Sequence, residues 1–184
     1  MIRIIGGAPR TGKGILSRRL LVETHTPYLS LDILKMGLAN GVPDYRMDPD
    51  APSEEVAEKL WPLVRGMCVN MVETGVYYTI EGEILPRHAD ALSRQYPGEI
   101  RSCFLGYARI APEQKLREIR EFGGYPNDWT ATSSDASLMT LVRESIAFSQ
   151  YLQSECTGLG MAYFDSSFAF SDTLDQVAEY LTRG

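Results

Sequence analysis

An α/β fold with a parallel sheet covered on both faces is what this chain predicts, and three observations predict it. Short runs rich in β-branched and aromatic residues recur at 2–5, 27–31, 76–81, 100–106 and 160–165. Stretches with helical spacing of apolar residues fill the gaps, the alternation that builds βαβ units. The third observation is a glycine-rich turn directly after the first apolar run, Gly7-Ala8-Pro9-Arg10-Thr11-Gly12-Lys13-Gly14, leading into a helix.

Taken in order, the first helix carries Leu16, Leu20 and Leu21 toward the sheet. After the second strand a helix is expected over 33–39, then a Gly-, Pro- and Asp-rich loop over 40–52. From 53 to 74, Val56, Leu60, Leu63, Val64, Met67, Cys68 and Met71 form one buried stripe, which Pro62 is expected to kink or divide. A helix starts near Pro86, with His88 in it, and a charged helix begins at Pro112. The stretch 123–134, with Gly123-Gly124 as a hinge and Trp129 as an apolar cover or a surface anchor, reads as a lid before a long helix over about 135–155. The last helix carries Leu174, Val177, Ala178 and Leu181 inward, with Ser171 as its cap.

The bulk numbers narrow the function classes. With 184 residues, 44% hydrophobic and 23% charged, the chain fits one soluble domain, 1–184, with a small acceptor-binding helical insertion at about 33–75 and a short lid at about 109–134. A formal net charge of −6 opposes binding along nucleic acid, which requires a basic surface. No apolar run approaches the roughly 20 residues that span a bilayer, so no membrane partner is expected. Cys68, Cys103 and Cys156 are odd in number and far apart, which suggests neither disulfides nor zinc and fits a reducing, cytoplasmic setting. The expected state is a monomer or homodimer.

The glycine-rich turn carries the chemistry. Gly7 and Gly12 lack the Cβ that would block a wound-back turn, so Gly7, Ala8, Pro9, Arg10, Thr11, Gly12, Lys13, Gly14 and Ile15 can aim successive N–H groups at a polyphosphate. The helix dipole and the Lys13 ammonium add positive charge. The pattern is G-x-x-x-x-G-K, but Gly14 stands where a Ser or Thr would offer Mg²⁺ a hydroxyl, and Ile15 cannot replace it.

Asp32 ends the second strand at the carboxyl edge of the sheet, where an acceptor hydroxyl would sit; it is a candidate base, or else a helix N-cap. Lys35 reads as a solvated lysine. Glu81 and Glu83 end the third strand, and Glu81 is the candidate for holding Mg²⁺ through water, with strand-end salt bridging as its plain alternative. Among Arg109, Lys115, Arg117 and Arg120, Arg117 has acids at both i±4 positions, whereas Arg120 has none and lies next to the hinge; Arg120 is the candidate transition-state cation, with Arg143 second. Asp165-Ser166-Ser167 suits either an adenine pocket or a capped turn.

Gly7-Ala8-Pro9 through Gly12-Lys13-Gly14 is similar to the adenylate-kinase loop, in which a glycine also follows the lysine, although a threonine comes next there and Ile15 here. The rest resembles small P-loop kinases of the 2-phosphoglycerate kinase-like or nucleotide kinase kind, through Leu31-Asp32-Ile33-Leu34-Lys35-Met36-Gly37, Ile80-Glu81-Gly82 before Pro86, Pro112-Glu113-Gln114-Lys115-Leu116, Asn127-Asp128-Trp129 and Tyr163-Phe164-Asp165-Ser166-Ser167. The resemblance implies a three-layer P-loop NTPase fold with five parallel strands in the order 2-3-1-4-5, ATP as donor, Mg²⁺, a small-molecule phosphate acceptor near Asp32 and arginines from a lid. It implies a kinase of a small polar or phosphorylated metabolite. The Gly14-Ile15 pair keeps a second reading open, a nucleotide-binding regulator or inactive homologue; no Asn-Lys-x-Asp sequence points to guanine.

Overall fold

A computed structural model describes residues 1–123, 128 and 130–183. Strands β1 (Ile2–Gly7), β2 (Tyr28–Ser30), β3 (Thr79–Gly82), β4 (Ile100–Gly106) and β5 (Ala162–Asp165) form one parallel sheet in the order β2-β3-β1-β4-β5. This is the order that the kinase resemblance implies. Helices α1 (Lys13–Thr24), α2 (Leu31–Gly41), α3 (Ser53–Glu73), α4 (Pro86–Gln95), α5 (Pro112–Phe122), α6 (Asp135–Leu159) and α7 (Phe170–Thr182) connect and cover the strands, with a 3₁₀ turn at Pro43–Tyr45.

The period of two along β1 sorts its side chains into two cores. Ile2 and Ile4 pack with Val56, Leu60, Val64 and Cys68 of α3 and with Ala89, Leu92 and Leu152. Ile5 packs on the opposite face with Leu16, Leu20, Leu174, Val177 and Leu181. Ile4 and Ile5 are fully enclosed, and burying each side chain is worth about 1.5–3 kcal/mol. A third cluster, Ile119 with Leu138 and Val142, holds α5 against α6. All three cysteines are free and buried.

Several expectations are corrected. Helix α3 runs unbroken through Pro62. Pro62 is exposed, so its lost backbone bond faces water while Val56, Leu60, Val64 and Cys68 anchor the buried side; Leu63, Met67 and Met71 are only half-buried. Helix α2 begins at Leu31, two residues earlier than its apolar pattern suggests, so Ser30 rather than Asp32 is its N-cap. Residues 76–78 precede β3, with Val76 and Tyr77 exposed. Leu21 turns out to solvent, and α7 starts at Phe170 behind Ala169, which leaves Ser171 inside its first turn. Ser134 caps α6 by accepting from the Ser137 amide. Trp129 and Gly124 lie outside the described residues. Among the described residues no helix is long and apolar enough to cross a membrane.

Candidate active site

Strand β1 delivers the glycine-rich turn to the carboxyl edge between β3 and β4. A Cβ at Gly7 would stand 2.4 Å from the Leu105 carbonyl oxygen, and one at Gly12, where φ is +88°, 2.7 Å from the Phe170 ring. Only glycine fits at either place. The turn is pinned from outside: the Ala8 amide donates to the Leu105 carbonyl (3.1 Å), the Thr11 hydroxyl to the Ala8 carbonyl (2.9 Å) and the Tyr107 hydroxyl to the Pro9 carbonyl (2.9 Å). The first helical bond of α1 runs from the Leu16 amide to the Gly12 carbonyl. The amides of Lys13, Gly14 and Ile15 therefore have no intrahelical acceptor and suit an anion. Lys13 folds back on the turn, donating to the Gly7 and Ala8 carbonyls at 3.0 and 2.8 Å. Gly14 has open space where a side chain would begin, and Ile15 is half-exposed.

Beside this turn the sheet register brings in the acids. Glu81 pairs across with Ile5 of β1 and with Ser30 of β2, and is only 5% exposed. Burial pushes its carboxyl above the ordinary range, and Asp32 adds to the rise; Lys13, a hydrogen bond from Ser30 and Arg18 oppose it. Glu81 thus lies within electrostatic reach of both Lys13 and Asp32. Asp32 lies in the first turn of α2 with its side chain 68% exposed. Lys35 is not solvated. Its side chain is 13% exposed, and its ammonium contacts Asp32 (3.3 Å) and Glu83 (3.1 Å), while Glu83 also accepts from the Ser53 hydroxyl (2.8 Å). Burial depresses the Lys35 pKa, but the two carboxylates outweigh it and raise the net value. Spacing along α2 finds Asp32, whereas the Glu83 contact arises from a separate strand.

The opposite rim is built by α5 and the segment before α6. Arg120 bonds to Asp135 (3.0 and 2.7 Å), the Thr130 carbonyl (3.3 Å) and the Ser133 carbonyl (2.5 Å), so here it fastens α5 to α6. An i±4 search within one helix cannot find Asp135, which α5–α6 packing supplies. Lys115, not selected from spacing, is almost fully enclosed, with its ammonium 4.4 Å from the centre of the Tyr107 ring and 3.6 Å from Glu118. Burial lowers its pKa against the pull of Glu118, and Arg10 lowers it further. Arg10, left-handed at φ 61°, pairs with Asp128 at 3.2 Å and ties the turn to this rim.

Near β5, the Asp165 side chain accepts from the Ser167 amide (2.9 Å) and pairs with Arg109 (3.3 Å). Ser166 donates to the Gly106 carbonyl (3.1 Å), so this stretch is a capped turn. The Arg109 guanidinium lies 5.4 Å from the centre of the exposed Phe168 ring. His88 stacks on Trp61 (4.5 Å) and contacts Glu58 (3.3 Å), away from the glycine-rich turn in sequence and partners.

No protein-family model matches the chain, and no curated protein sequence matches it significantly. Solved structures do. The chain is similar to a gluconokinase from Sinorhizobium meliloti 1021, with 12% identity and a TM-score of 0.59 over 98% of this chain and 91% of that one. It is similar to a shikimate kinase from Bacteroides thetaiotaomicron, with 13% identity and a TM-score of 0.58 over 100% and 99%. An uncharacterized protein from Eubacterium ventriosum ATCC 27560 aligns over 98% and 97% at 12% identity, with a TM-score of 0.54. At these identities the likeness establishes the fold alone, an α/β architecture with a five-stranded parallel sheet between layers of helices.

Proposed function

We propose that the protein is an ATP-dependent phosphotransferase acting on a hydroxyl group of a small polar or phosphorylated metabolite. The observation that carries this reading is the convergence of the Gly7–Lys13 turn with Glu81 and Asp32 at one edge of the sheet. Similarity in fold to structures described as gluconokinase and shikimate kinase adds to it.

The residues present fit a nucleoside triphosphate and Mg²⁺. Two glycine positions that admit no Cβ shape the turn, and three helix-start amides and Lys13 supply positive charge. A buried carboxylate beside Lys13 suits Mg²⁺ held mainly through its own water, and such an ion neutralises charge on the phosphates when bound. In this reading Lys13 exchanges its carbonyl contacts for phosphate oxygens. Asp32 orients the acceptor hydroxyl and accepts its proton as that oxygen bonds to the terminal phosphorus and the bridging oxygen leaves with ADP. Arg120 would serve as the transition-state cation by leaving Asp135.

The test is ATP consumption against a panel of nucleoside monophosphates, phosphoglycerates, sugar acids and amino sugars, with ATP binding followed by calorimetry. Lys13→Ala is expected to lower kcat/KM by about 10²–10³-fold or more and to weaken ATP binding sharply. A second reading, an ATP-binding regulator without transfer, is favoured by Gly14-Ile15. ATP binding with no consumption across the panel would select it.

A further inference from the structure

Lys115 of α5 occupies a place where a charge costs stability. The residue is 4% exposed, and its ammonium stands over two aromatic rings, 4.4 Å from the centre of Tyr107 and 5.9 Å from that of Phe170. Its acid partner, Glu118, is 3.6 Å away, and one ion pair of that length recovers only part of what an ammonium loses on leaving water. An uncharged side chain of similar length, such as methionine, would fill the same space without that cost. The two rings are not ordinary core residues, because each touches the glycine-rich turn. The Tyr107 hydroxyl donates to the Pro9 carbonyl (2.9 Å), while its amide donates to the Ser149 hydroxyl of α6 (3.1 Å). The Phe170 ring, at the start of α7, lies 2.7 Å from where a Cβ on Gly12 would stand. Lys115 is therefore shared between the contacts at the two ends of the segment 9–12, and Arg10, inside that segment, lies within electrostatic reach of it.

Resting on the phosphotransferase reading, we infer that Lys115 is a positioning residue for the polyphosphate, holding Tyr107 and Phe170 in the places that shape the Gly7–Lys13 turn. A cation over a ring face is attracted by the ring's quadrupole, which restrains the ring. It also draws electron density from the phenol, so the Tyr107 hydroxyl becomes a stronger donor to Pro9. A trans peptide sets its N–H opposite its carbonyl, and fixing the Pro9 carbonyl on Tyr107 therefore aims the Arg10 amide to the other side. Lys115 thus acts on the phosphate through the rings. A merely structural role predicts a different balance of costs. Glu118 is 33% exposed and keeps a hydrogen bond from Gln114 (3.1 Å), so loss of Lys115 leaves no buried, stranded acid, and removing the desolvated ammonium is expected to leave the fold as stable as before or more so. What the lysine supplies is then read in phosphate binding rather than in stability.

The experiment compares the full wild-type chain with Lys115→Met, Tyr107→Phe and the double variant. Each is titrated calorimetrically with ATP and with inorganic triphosphate, both with Mg²⁺, and its thermal unfolding is followed in parallel. Lys115→Met is expected to weaken both ligands about tenfold, with Tm unchanged or raised. Because the two ligands share only their phosphates, an equal loss assigns the effect to the turn and not to a base or sugar contact. Tyr107→Phe, which removes the bond to Pro9, is expected to weaken both ligands by a similar factor, and the double variant by clearly less than the product of the two. Binding within twofold of wild type in Lys115→Met, a loss confined to ATP, a lowered Tm or failure to fold in that variant, or effects that multiply in full overturn the inference while leaving the phosphotransferase reading in place. A wild-type chain that binds neither ligand overturns both.

Discussion

The two sides of the sheet's carboxyl edge achieve charge in opposite ways. Around Gly7 and Gly12 the positive potential comes from backbone amides and one lysine whose present partners are neutral carbonyls, contacts that a phosphate can replace without stranding a charge. Around α2 and α3, Lys35 and Arg87 are already neutralised by carboxylates. The first region offers donors whose present partners are neutral, whereas in the second these two cations already have acid partners. The difference teaches that counting basic residues near a cleft says little until their partners are known.

Apart from loss of Lys13, the largest expected effect that sharpens this contrast is at Asp32. Asp32→Asn is expected to lower kcat about 10²–10⁴-fold in steady-state assays while calorimetry shows ATP binding largely kept. Unchanged kcat would remove Asp32 from the mechanism.

Next comes the shape of the turn itself. Gly12→Ala places a Cβ 2.7 Å from the Phe170 ring at a left-handed φ, and is expected to cost about 1–3 kcal/mol in denaturant unfolding, with weakened ATP binding. The same change at Gly14, where nothing lies within 4 Å, is expected to be tolerated.

Glu81 gives a pH test. Its folded pKa lies above the ordinary 4.5, chiefly through burial, so the linked stability is present below 4.5 and lost as pH rises through the folded value. The ionised carboxylate therefore costs stability at neutral pH. Glu81→Gln is expected to raise Tm at pH 7, with the gain vanishing below about pH 4, while reducing Mg²⁺-dependent activity. A lowered Tm at pH 7 would show that the Lys13 attraction outweighs burial.

The smallest effect is expected for Gly14→Ser. Helix propensity predicts about 0.5 kcal/mol of added stability by thermal or denaturant unfolding. Activity changed by less than about threefold would indicate that Glu81 serves Mg²⁺ without a hydroxyl from the turn, whereas a large rise from near zero would favour the inactive-homologue reading.

Much of the fold was legible because the signals are local. The alternation of β-rich and helical stretches located all five strands, with β4 matched end to end, and the glycine spacing marked the turn before any contact was known. Boundaries slipped where a local preference met tertiary packing: Pro62 stayed within α3 because its exposed side lets water satisfy the disrupted backbone. The acids at strand ends could be named from their position. Their partners could not, since Arg120–Asp135 joins two helices and Lys35–Glu83 joins a helix to a strand 48 residues away.

By itself, then, the sequence determined the period of each element and the two glycines that permit a wound-back turn, because these depend on backbone sterics and on neighbours a few residues apart. Tertiary structure alone decided which cations are already spent and which acid sits beside Lys13. Charge acts through space, and only the sheet order that sets β3 between β1 and β2 brings Glu81 to the turn.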